Sequence, residues 1–150
     1  SRGLGGVYKR QSQAVKLYWK GFGKVLKLYK TYSHDELKKF KLTPNEIQVL
    51  SHLGTKFTSS EIAKEENVSK ALVSRSVKLL LQKGYITVTL SEMDKREFVI
   101  NLTPKGDEVR QKIISVKENF TRHAFKDFGD EEFTVLKQLL GLILRNLNEL

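Results

Sequence analysis

The hydrophobic pattern of this chain changes its period once, between Gly84 and Thr103. On either side, the apolar residues recur every three or four positions, which is typical of amphipathic helices. Inside this interval, two runs are rich in β-branched and aromatic residues and partly alternate: YITVTL (85–90) and FVINL (98–102). Such runs predict an antiparallel pair of strands. The expected fold class is therefore mainly α, with one small antiparallel β-hairpin.

Four stretches carry the residues that start helices. TPNE (43–46) combines an N-cap, a proline at the first helical position and a glutamate that bonds back to the cap. TSSE (58–61) repeats the cap pattern, Ser69 caps a helix that ends at Gly84, and Thr103 precedes a proline at a fourth start. The apolar residues expected in the core of these helices are Ile47, Leu50, Leu53, Ile62, Ala63, Val73, Val77, Leu80, Val109, Ile113, Val116 and Phe120.

The order of these elements is typical of a winged helix-turn-helix, in which two helices meet at a tight turn and a β-hairpin, the wing, follows. The first helix is expected to stop at Gly54, and the turn is predicted at ENV (66–68), where Asn67 tolerates a left-handed backbone. The major groove of DNA admits one α-helix, whose exposed side chains reach the base edges. This geometry makes helix 69–83 the candidate reading helix.

The outward side chains of helix 69–83 mix short hydroxyls with cations, as a surface facing a groove requires; they are Ser69, Lys70, Ser74, Arg75 and Lys78. Arg75 suits either a guanine edge or a phosphate, and the sequence leaves both open. Leu79 and Leu81 lie off the inward face, and we expect them to pack against the wing or the N-terminal helix.

Long helices are predicted on both sides of this lobe. Residues 7–32 form one, after which SHDE (33–36) is expected to open a short further turn with a capping box. The helix after Gly129 is apolar round much of its circumference, so we expect it to be covered, most economically by a second copy of the chain. We therefore predict a single domain, 1–150, in which helical regions at 7–41 and 104–150 flank the winged lobe at 42–103.

Composition limits the class of protein. The 150 residues are 39% hydrophobic and 29% charged, which is a globular composition. There are no cysteines, which excludes disulfides and cysteine zinc ligands and fits a reducing cytoplasm. No run of about 18 apolar residues is present, so no membrane span is expected.

The net charge of +10 favours a polyanionic partner. Most of it lies in residues 1–41, where eleven basic residues stand against Asp35 and Glu36 and leave +9. Within this segment, one predicted helix face carries Lys16, Lys20, Lys24 and Lys27. Such a stripe is usually a solvated face. The alternatives are contacts to the DNA backbone, to an anionic effector or membrane surface, or a flank of the dimer seam, which the long stems of lysine would cover.

Four segments together resemble the MarR family of transcriptional regulators: LTPNEIQVLSHL (42–53), SSEIAKEENVSKALVSRSVKLLLQKGYI (59–86), the wing-tip DKR (94–96) and NLTPKG (101–106). The resemblance implies a homodimer in which the terminal helices, 7–41 and 104–150, form the dimerisation region and the paired winged helices bind pseudo-palindromic DNA. It also implies that Asp94 stabilises the wing by holding a neighbouring cation, and that Arg96 enters the minor groove. Many relatives carry arginine where Val88 or Thr89 stands, and polar residues at 79 and 81.

The function expected from these features is binding of double-stranded DNA and regulation of transcription, most often as a repressor. Phosphate contacts are assigned to Thr58, Ser60, Lys64, Lys70 and Lys78, base-edge contacts to Ser69, Ser74 and Arg75, and groove contacts at the wing to Lys95 and Arg96. One alternative is a winged helix that docks a protein through the basic N-terminal helix and binds no specific DNA sequence. A second is a DNA-binding architectural or activating regulator without a ligand switch. The alternative to a DNA-binding wing is a solvent-exposed hairpin whose charges only keep its edge soluble.

Other chemistries have less support. The family resemblance also implies a pocket for a small aromatic or anionic effector, although aromatic residues at helical spacing are also typical of a core. The residues that would line it are Tyr18, Trp19, Phe22, Tyr29, Phe40 and Phe57. Neither His34, beside Asp35 and Glu36, nor the other two histidines has convincing metal-ligand spacing, so no metal or cofactor is expected. There is no phosphate-binding glycine loop, and no serine, histidine and aspartate form a catalytic arrangement. No enzyme activity is therefore expected.

Overall fold

The computed structural model describes residues 2–53, 57–66 and 69–150. The helices are α1 (Arg2–Leu37), a 3₁₀ turn (Lys38–Phe40), α2 (Pro44–His52), α3 (Ser59–Glu66), α4 (Lys70–Gln82), α5 (Pro104–Ala124) and α6 (Asp130–Leu147), and the strands are β1 (Phe57–Thr58), β2 (Ile86–Leu90) and β3 (Phe98–Leu102). This mainly helical chain with an antiparallel hairpin confirms the predicted fold class. The predicted helix stop at Gly54 and the turn residues Asn67 and Val68 lie outside the described part.

The predicted helix starts are present. The Thr43 hydroxyl accepts the Glu46 amide at 3.2 Å, and the Glu46 carboxylate accepts the Thr43 amide at 2.7 Å. Thr58 and Glu61 make the same reciprocal pair at 3.2 and 2.8 Å. The Ser69 hydroxyl accepts the amide of Leu72 at 3.2 Å and so caps α4. Each cap bonds a backbone amide that the helix itself leaves unpaired, which stabilises the helix by about 1 kcal/mol.

The predicted break at Ser33 is wrong, because α1 runs without interruption to Leu37. A capping box needs its glutamate to bond back to the cap, but the carboxylate of Glu36 accepts Lys112 on α5 at 3.2 Å instead. Leu37 is also buried in the core, which favours continuing the helix to that position. The chain turns only at Lys41, whose φ of +53° is left-handed.

Two compact units divide the chain, Ser1–Lys117 and Glu118–Leu150. The core of the first unit lies among α2, α3, α4, the sheet and α5. It contains eight of the predicted core residues: Leu50, Leu53, Ile62, Val73, Leu80, Val109, Ile113 and Val116. Ile47, Ala63 and Val77 are partly buried against it, and Val49 is buried although it was not predicted. Each large apolar side chain buried here contributes about 1.5–3 kcal/mol.

A three-stranded antiparallel sheet with the order β1-β3-β2 supports the wing. The hairpin register pairs Ile86 with Leu102 at its base and Leu90 with Phe98 at its far end. Strand β1 pairs Thr58 with Val99, so the residue that caps α3 also joins the sheet. Two residues are too few to show alternation, and the sequence analysis therefore did not predict β1.

Leu79 and Leu81 are 36% and 46% exposed, and their packing against the wing or the N-terminal helix stays a prediction. On α4 the core side is set by Val73 and Leu80. Residues 79 and 81 each lie about 100° round the helix from Leu80, on opposite sides, so neither reaches the core. Both leucines are surface residues of the first unit.

The second unit contains the end of α5 and all of α6. Three aromatic rings meet where the two helices join, with centroids 4.9–5.7 Å apart: Phe125, Phe128 and Phe133. The Gly129 amide donates to the Glu132 carboxylate at 2.8 Å and starts α6. Along α6 most of the apolar residues stay exposed within this unit, including Leu139 at 53% and Leu144 at 61%.

Candidate nucleic-acid interface

The exposed face of α4 carries three cations. Lys70, Arg75 and Lys78 are all exposed, and Ser74 lies exposed among them. The opposite side of the helix is held by Val73 and Leu80, and by Ser76, whose hydroxyl donates to the Leu72 carbonyl at 3.1 Å. Because that side is fixed in the core, the cations must project away from it. This face therefore offers a row of positive and hydroxyl groups to a partner of the first unit.

The residues before α4 add polar groups. Lys64 on α3 is exposed, whereas Ser60 and Thr58 are half-buried. The hydroxyls of Thr58 and Ser69 each accept a backbone amide as caps. A hydroxyl that accepts one hydrogen bond still has its own hydrogen to donate. Thr58 and Ser69 can therefore cap their helices and donate to a phosphate at the same time.

The wing tip is closed by a compact set of hydrogen bonds. The Ser91 hydroxyl accepts the amides of Met93 and Asp94, both at 3.3 Å. The Ser91 amide donates to the Glu97 carbonyl at 2.9 Å, and the Glu97 amide donates to the Asp94 carbonyl at 3.0 Å. These side-chain-to-backbone bonds of Ser91 close the turn, which contains no glycine. Ser91 was missed by the sequence analysis, although its position at the end of a strand was a signal.

Asp94 contacts the backbone of the tip. Its Oδ1 atom accepts the amide of Arg96 at 3.0 Å. The sequence analysis assigned this carboxylate to a neighbouring cation, and the bond found is to the main chain of Arg96 rather than to its guanidinium. Lys95 and Arg96 are both exposed, so their side chains extend from a tip whose backbone is held in place. Glu97, which follows them, is half-buried.

The wing also exposes apolar residues. Leu90 and Phe98 face each other across the hairpin and are 59% and 56% exposed, and Met93 at the tip is 98% exposed. Leu90 and Phe98 extend the sheet face that carries the buried Ile86 and Ile100, since alternate residues of a strand share a face. No role was predicted for these residues from the sequence.

The far end of α4 is joined to α2 by an ion pair whose carboxylate is buried. The Lys83 ammonium lies 2.8 and 3.0 Å from the two carboxylate oxygens of Glu46, and it also donates to the Lys41 carbonyl at 3.0 Å. Glu46 is completely buried, whereas the Lys83 side chain keeps 34% of its surface exposed. From the sequence Glu46 was predicted only to cap α2, because no neighbouring residue indicates a partner 37 positions away.

A second junction joins the base of the wing to α5. The Thr103 hydroxyl donates to the Gly84 carbonyl at 2.7 Å and accepts the Gly106 amide at 3.0 Å. The Lys105 ammonium donates to the Lys83 carbonyl at 3.1 Å and lies 4.7 Å from the centre of the Tyr85 ring. Gly84 has a φ of +75°, which glycine adopts without strain. These contacts hold α4, the hairpin and α5 in one arrangement.

The aromatic residues proposed for an effector pocket are only partly brought together. Tyr18, Trp19 and Phe22 lie exposed on α1, where the Trp19 and Phe22 rings meet edge to face with centroids 6.3 Å apart. Tyr29 is half-buried, and Phe40 is partly buried against the core. The side chain of Phe57 lies outside the described part. The pocket therefore stays a prediction.

Within residues 2–53, 57–66 and 69–150, no group of three histidine, aspartate or glutamate side chains is arranged to hold a metal ion. The His34 ring nitrogen lies 3.8 Å from Asp35, with both side chains largely exposed. In the same residues, none of the helices combines the length and the apolar character needed to cross a membrane.

Comparison with known proteins gives a consistent result. A family model described as the MarR family matches residues 40–97. The HTH-type transcriptional regulator BilQ of Clostridioides difficile (strain CD3) is 30% identical over 119 residues, which cover 78% of this chain and 80% of that protein. The HTH-type transcriptional regulator YvnA of Bacillus subtilis (strain 168) is 29% identical over 117 residues, covering 75% and 74%.

Solved structures share the fold. AbsC, a MarR family transcriptional regulator from Streptomyces coelicolor, matches with a TM-score of 0.73 at 23% identity, covering 90% of this chain and 95% of its own. A mutant MarR from E. coli complexed with operator DNA matches with a TM-score of 0.69 at 19% identity, covering 87% and 96%. At these identities the likeness concerns the fold, and it confirms the predicted winged helix.

Proposed function

The chain belongs to the MarR family of transcriptional regulators, and from that premise we propose that it acts as a homodimer that binds a pseudo-palindromic operator and represses transcription. Its family and the relatives above are transcription regulators and not enzymes. The observation that carries the proposal is that the first unit presents cations on two projecting elements. These are the exposed face of α4 and the tip of the wing.

In the proposed complex α4 lies in the major groove. Ser69, Ser74 and Arg75 contact base edges, because the N-terminal part of a reading helix lies nearest to them. Phosphate contacts come from Lys70 and Lys78 on α4, and from Thr58, Ser60 and Lys64 around α3. The two capping hydroxyls support these assignments, since Thr58 retains a hydrogen for a phosphate oxygen and Ser69 retains one for a base edge.

The wing is proposed to enter the adjacent minor groove. There Lys95 and Arg96 are the groove contacts, because the minor groove of a narrow A·T-rich tract concentrates negative potential. The hydrogen bond from the Arg96 amide to Asp94 supports this role, because it fixes the backbone from which the guanidinium projects. A positioned side chain loses less conformational freedom on binding than one on a free loop.

The homodimer is proposed to form through the terminal helices. Exposed apolar residues on α1 and α6 support this, because large contiguous apolar surfaces are rare on monomers. A two-fold dimer would present two reading helices to half-sites about 34–36 Å apart, one turn of DNA. We also propose that a small aromatic or anionic effector relieves repression, and the edge-to-face pair of the Trp19 and Phe22 rings is the feature that favours it. The cysteine-free composition supports a cytoplasmic location.

Selection of bound sequences from a random duplex pool tests the proposal directly. We expect an inverted repeat whose half-sites are one helical turn apart. The logarithm of the binding constant for the selected duplex should then fall linearly with log[salt], because several phosphates are contacted. Enrichment of no sequence, together with no affinity at low salt, would favour a winged helix that docks a protein. Thermal shift with a panel of aromatic acids would identify an effector by mass action.

A further inference from the structure

One face of α1 carries a ladder of lysines. Because the helix is uninterrupted from Arg2 to Leu37, residues keep their angular relation through Gly21, Gly23 and Ser33. At about 100° per residue, five lysines fall within about 80° of arc and span about 27 Å along the axis. We call this the lysine face; it consists of Lys9, Lys16, Lys20, Lys24 and Lys27.

The charges of the lysine face are not neutralised along the chain. All five side chains are exposed, and residues 1–34 contain eight basic residues and no acidic one. The acids that follow in α1 lie near its end, where Glu36 bonds Lys112 at 3.2 Å and Asp35 lies 3.8 Å from His34. Like charges three or four residues apart destabilise a helix. A polyanion laid along this face would remove that repulsion.

Three exposed apolar residues of α1 lie on the side of the helix opposite the lysine face. Tyr18, Phe22 and Val25 are centred about 180° from the lysine face at 100° per residue, and each is at least 49% exposed. In the proposed homodimer this apolar side is covered. The lysine face is then turned away from the seam and stays accessible.

We propose that the lysine face binds the sugar-phosphate backbone of duplex DNA, independently of its sequence and apart from the half-site read by α4 and the wing. The inference rests on the proposed function. Lysine ammonium groups act as point charges and lack the planar fork with which arginine reads guanine, so this contact carries affinity without sequence preference. A face about 27 Å long runs beside about eight phosphates of one strand.

An anionic membrane is the competing polyanion. A basic amphipathic helix binds a membrane by burying its apolar side in the lipid. That side is covered in the proposed homodimer, so charge complementarity favours DNA for this chain. The choice between the two is part of the experiment.

The test compares two quadruple variants of the full chain on random-sequence duplex DNA. The first is K16Q/K20Q/K24Q/K27Q, which removes four of the five charges of the lysine face and replaces each lysine with another good helix former. The matched control, K117Q/R122Q/K126Q/R145Q, removes four exposed cations from the acid-containing stretch 97–150, where eight basic and nine acidic residues stand. Circular dichroism and sedimentation establish that each variant keeps its helix content and its association state.

The slope of log K against log[salt] is the readout. For the lysine-face variant we expect the slope to become shallower by about 2–4, since each phosphate contact contributes about 0.9. The control should change it by less than about 1, and the preference of the lysine-face variant for the selected operator over random duplex should stay unchanged.

Equal slopes for the two quadruple variants would overturn the proposal, because only net charge would then matter. Loss of binding to phosphatidylserine vesicles by the lysine-face variant, with an unchanged DNA slope, would overturn it in favour of a membrane. The proposed function fails separately if the wild-type chain shows no operator preference. If that preference is present and needs Arg75 and Arg96 while the lysine face adds no slope, the proposed function survives and the inference does not.

Discussion

The ammonium nitrogen of Lys83 lies 2.8 Å from the nearer carboxylate oxygen of Glu46, which is completely buried. The same carboxylate accepts the Thr43 amide at 2.7 Å, and the same ammonium donates to the Lys41 carbonyl at 3.0 Å. Four polar groups thus fasten the residue after α4 to the start of α2. The reading helix is therefore held at the end that is far from its exposed N-terminus.

Removing the cation of this pair should destabilise the fold. We expect Lys83→Met to lower the free energy of unfolding by about 2–4 kcal/mol, because a buried carboxylate without its partner is costly. The value stays below the highest cases because a third of the Lys83 side chain is exposed and water can partly replace it. Urea denaturation followed by circular dichroism measures the change.

Lys78→Met, the same substitution on the exposed face of α4, is the control and should change unfolding by less than about 0.5 kcal/mol. The double variant K83M/E46Q should be less destabilised than the sum of its single variants, with a coupling of about 1–3 kcal/mol. Strict additivity, or equal effects of Lys83→Met and Lys78→Met, would show that the pair does not stabilise the fold.

The start of α5 leaves no room for a side chain at Gly106. A Cβ atom there would collide with the carbonyl oxygen and carbon of Tyr85, which are backbone atoms and cannot rotate away. We expect Gly106→Ala to lower the free energy of unfolding by about 1–3 kcal/mol, as overpacking does.

Gly23→Ala is the matched control, since a Cβ atom at Gly23 meets nothing within 4 Å. It should raise helix stability by about 0.5–1 kcal/mol through the better propensity of alanine. Thermal unfolding of the two variants should therefore shift in opposite directions. A Gly106→Ala protein as stable as the wild type would mean that the junction between the wing and α5 relaxes freely.

The geometry at Asp94 separates two explanations of its role. A carboxylate that held a cation would need its charge, whereas one that accepts the Arg96 amide needs only an oxygen. We expect Asp94→Asn to bind the operator within about twofold of wild type and Asp94→Ala to bind about 0.5–1.5 kcal/mol more weakly, the usual value of one hydrogen bond. Fluorescence anisotropy at fixed salt measures both. If the asparagine variant is as weak as the alanine variant, the charge matters and the cation explanation is right.

Arg75 and Arg96 are the proposed specificity contacts. We expect Arg75→Ala and Arg96→Ala each to weaken operator binding by about 1–3 kcal/mol. If Arg75 reads a guanine, its loss relaxes the preference at one position of each half-site, whereas loss of a phosphate contact weakens all sequences alike. Arg145→Ala, an exposed arginine on α6, serves as control. Unchanged affinity for both variants would remove these residues from the interface.

Features that depend on neighbouring residues were predictable from the sequence. The capping pairs at Thr43 and Thr58 involve residues three positions apart, and both are present. The hairpin was predictable from β-branched runs, and the core of α4 from its helical period. The winged fold, the family and the absence of enzyme function followed from these motifs together, and the comparisons confirmed them.

Features that depend on distant residues were not predictable. Glu46 fits a capping box with or without Lys83, and nothing beside Gly106 reveals that the Tyr85 backbone lies against it. The break expected at Ser33 failed for the same reason, because Leu37 in the core and the bond from Lys112 to Glu36 outweigh a local capping pattern. Of the site, the exposed cations on α4 and the wing were located from sequence, while the hydrogen bonds that hold them were not.

The exposed apolar side of α6 leads to a prediction about association. Leu140, Leu144 and Leu147 share one side of the helix and are 43%, 61% and 52% exposed within the second unit. If a partner copy covers them, Leu140→Glu should bury a charge in the seam and weaken self-association by about 2–4 kcal/mol, the range of interface hot spots.

Gln138→Glu adds the same charge about 160° away on the helix and should have little effect. Sedimentation equilibrium at micromolar concentration measures the dissociation constant of each. Weak association should also weaken operator binding, because one winged lobe then contacts one half-site. A Leu140→Glu protein that remains as dimeric as the wild type would place the seam elsewhere.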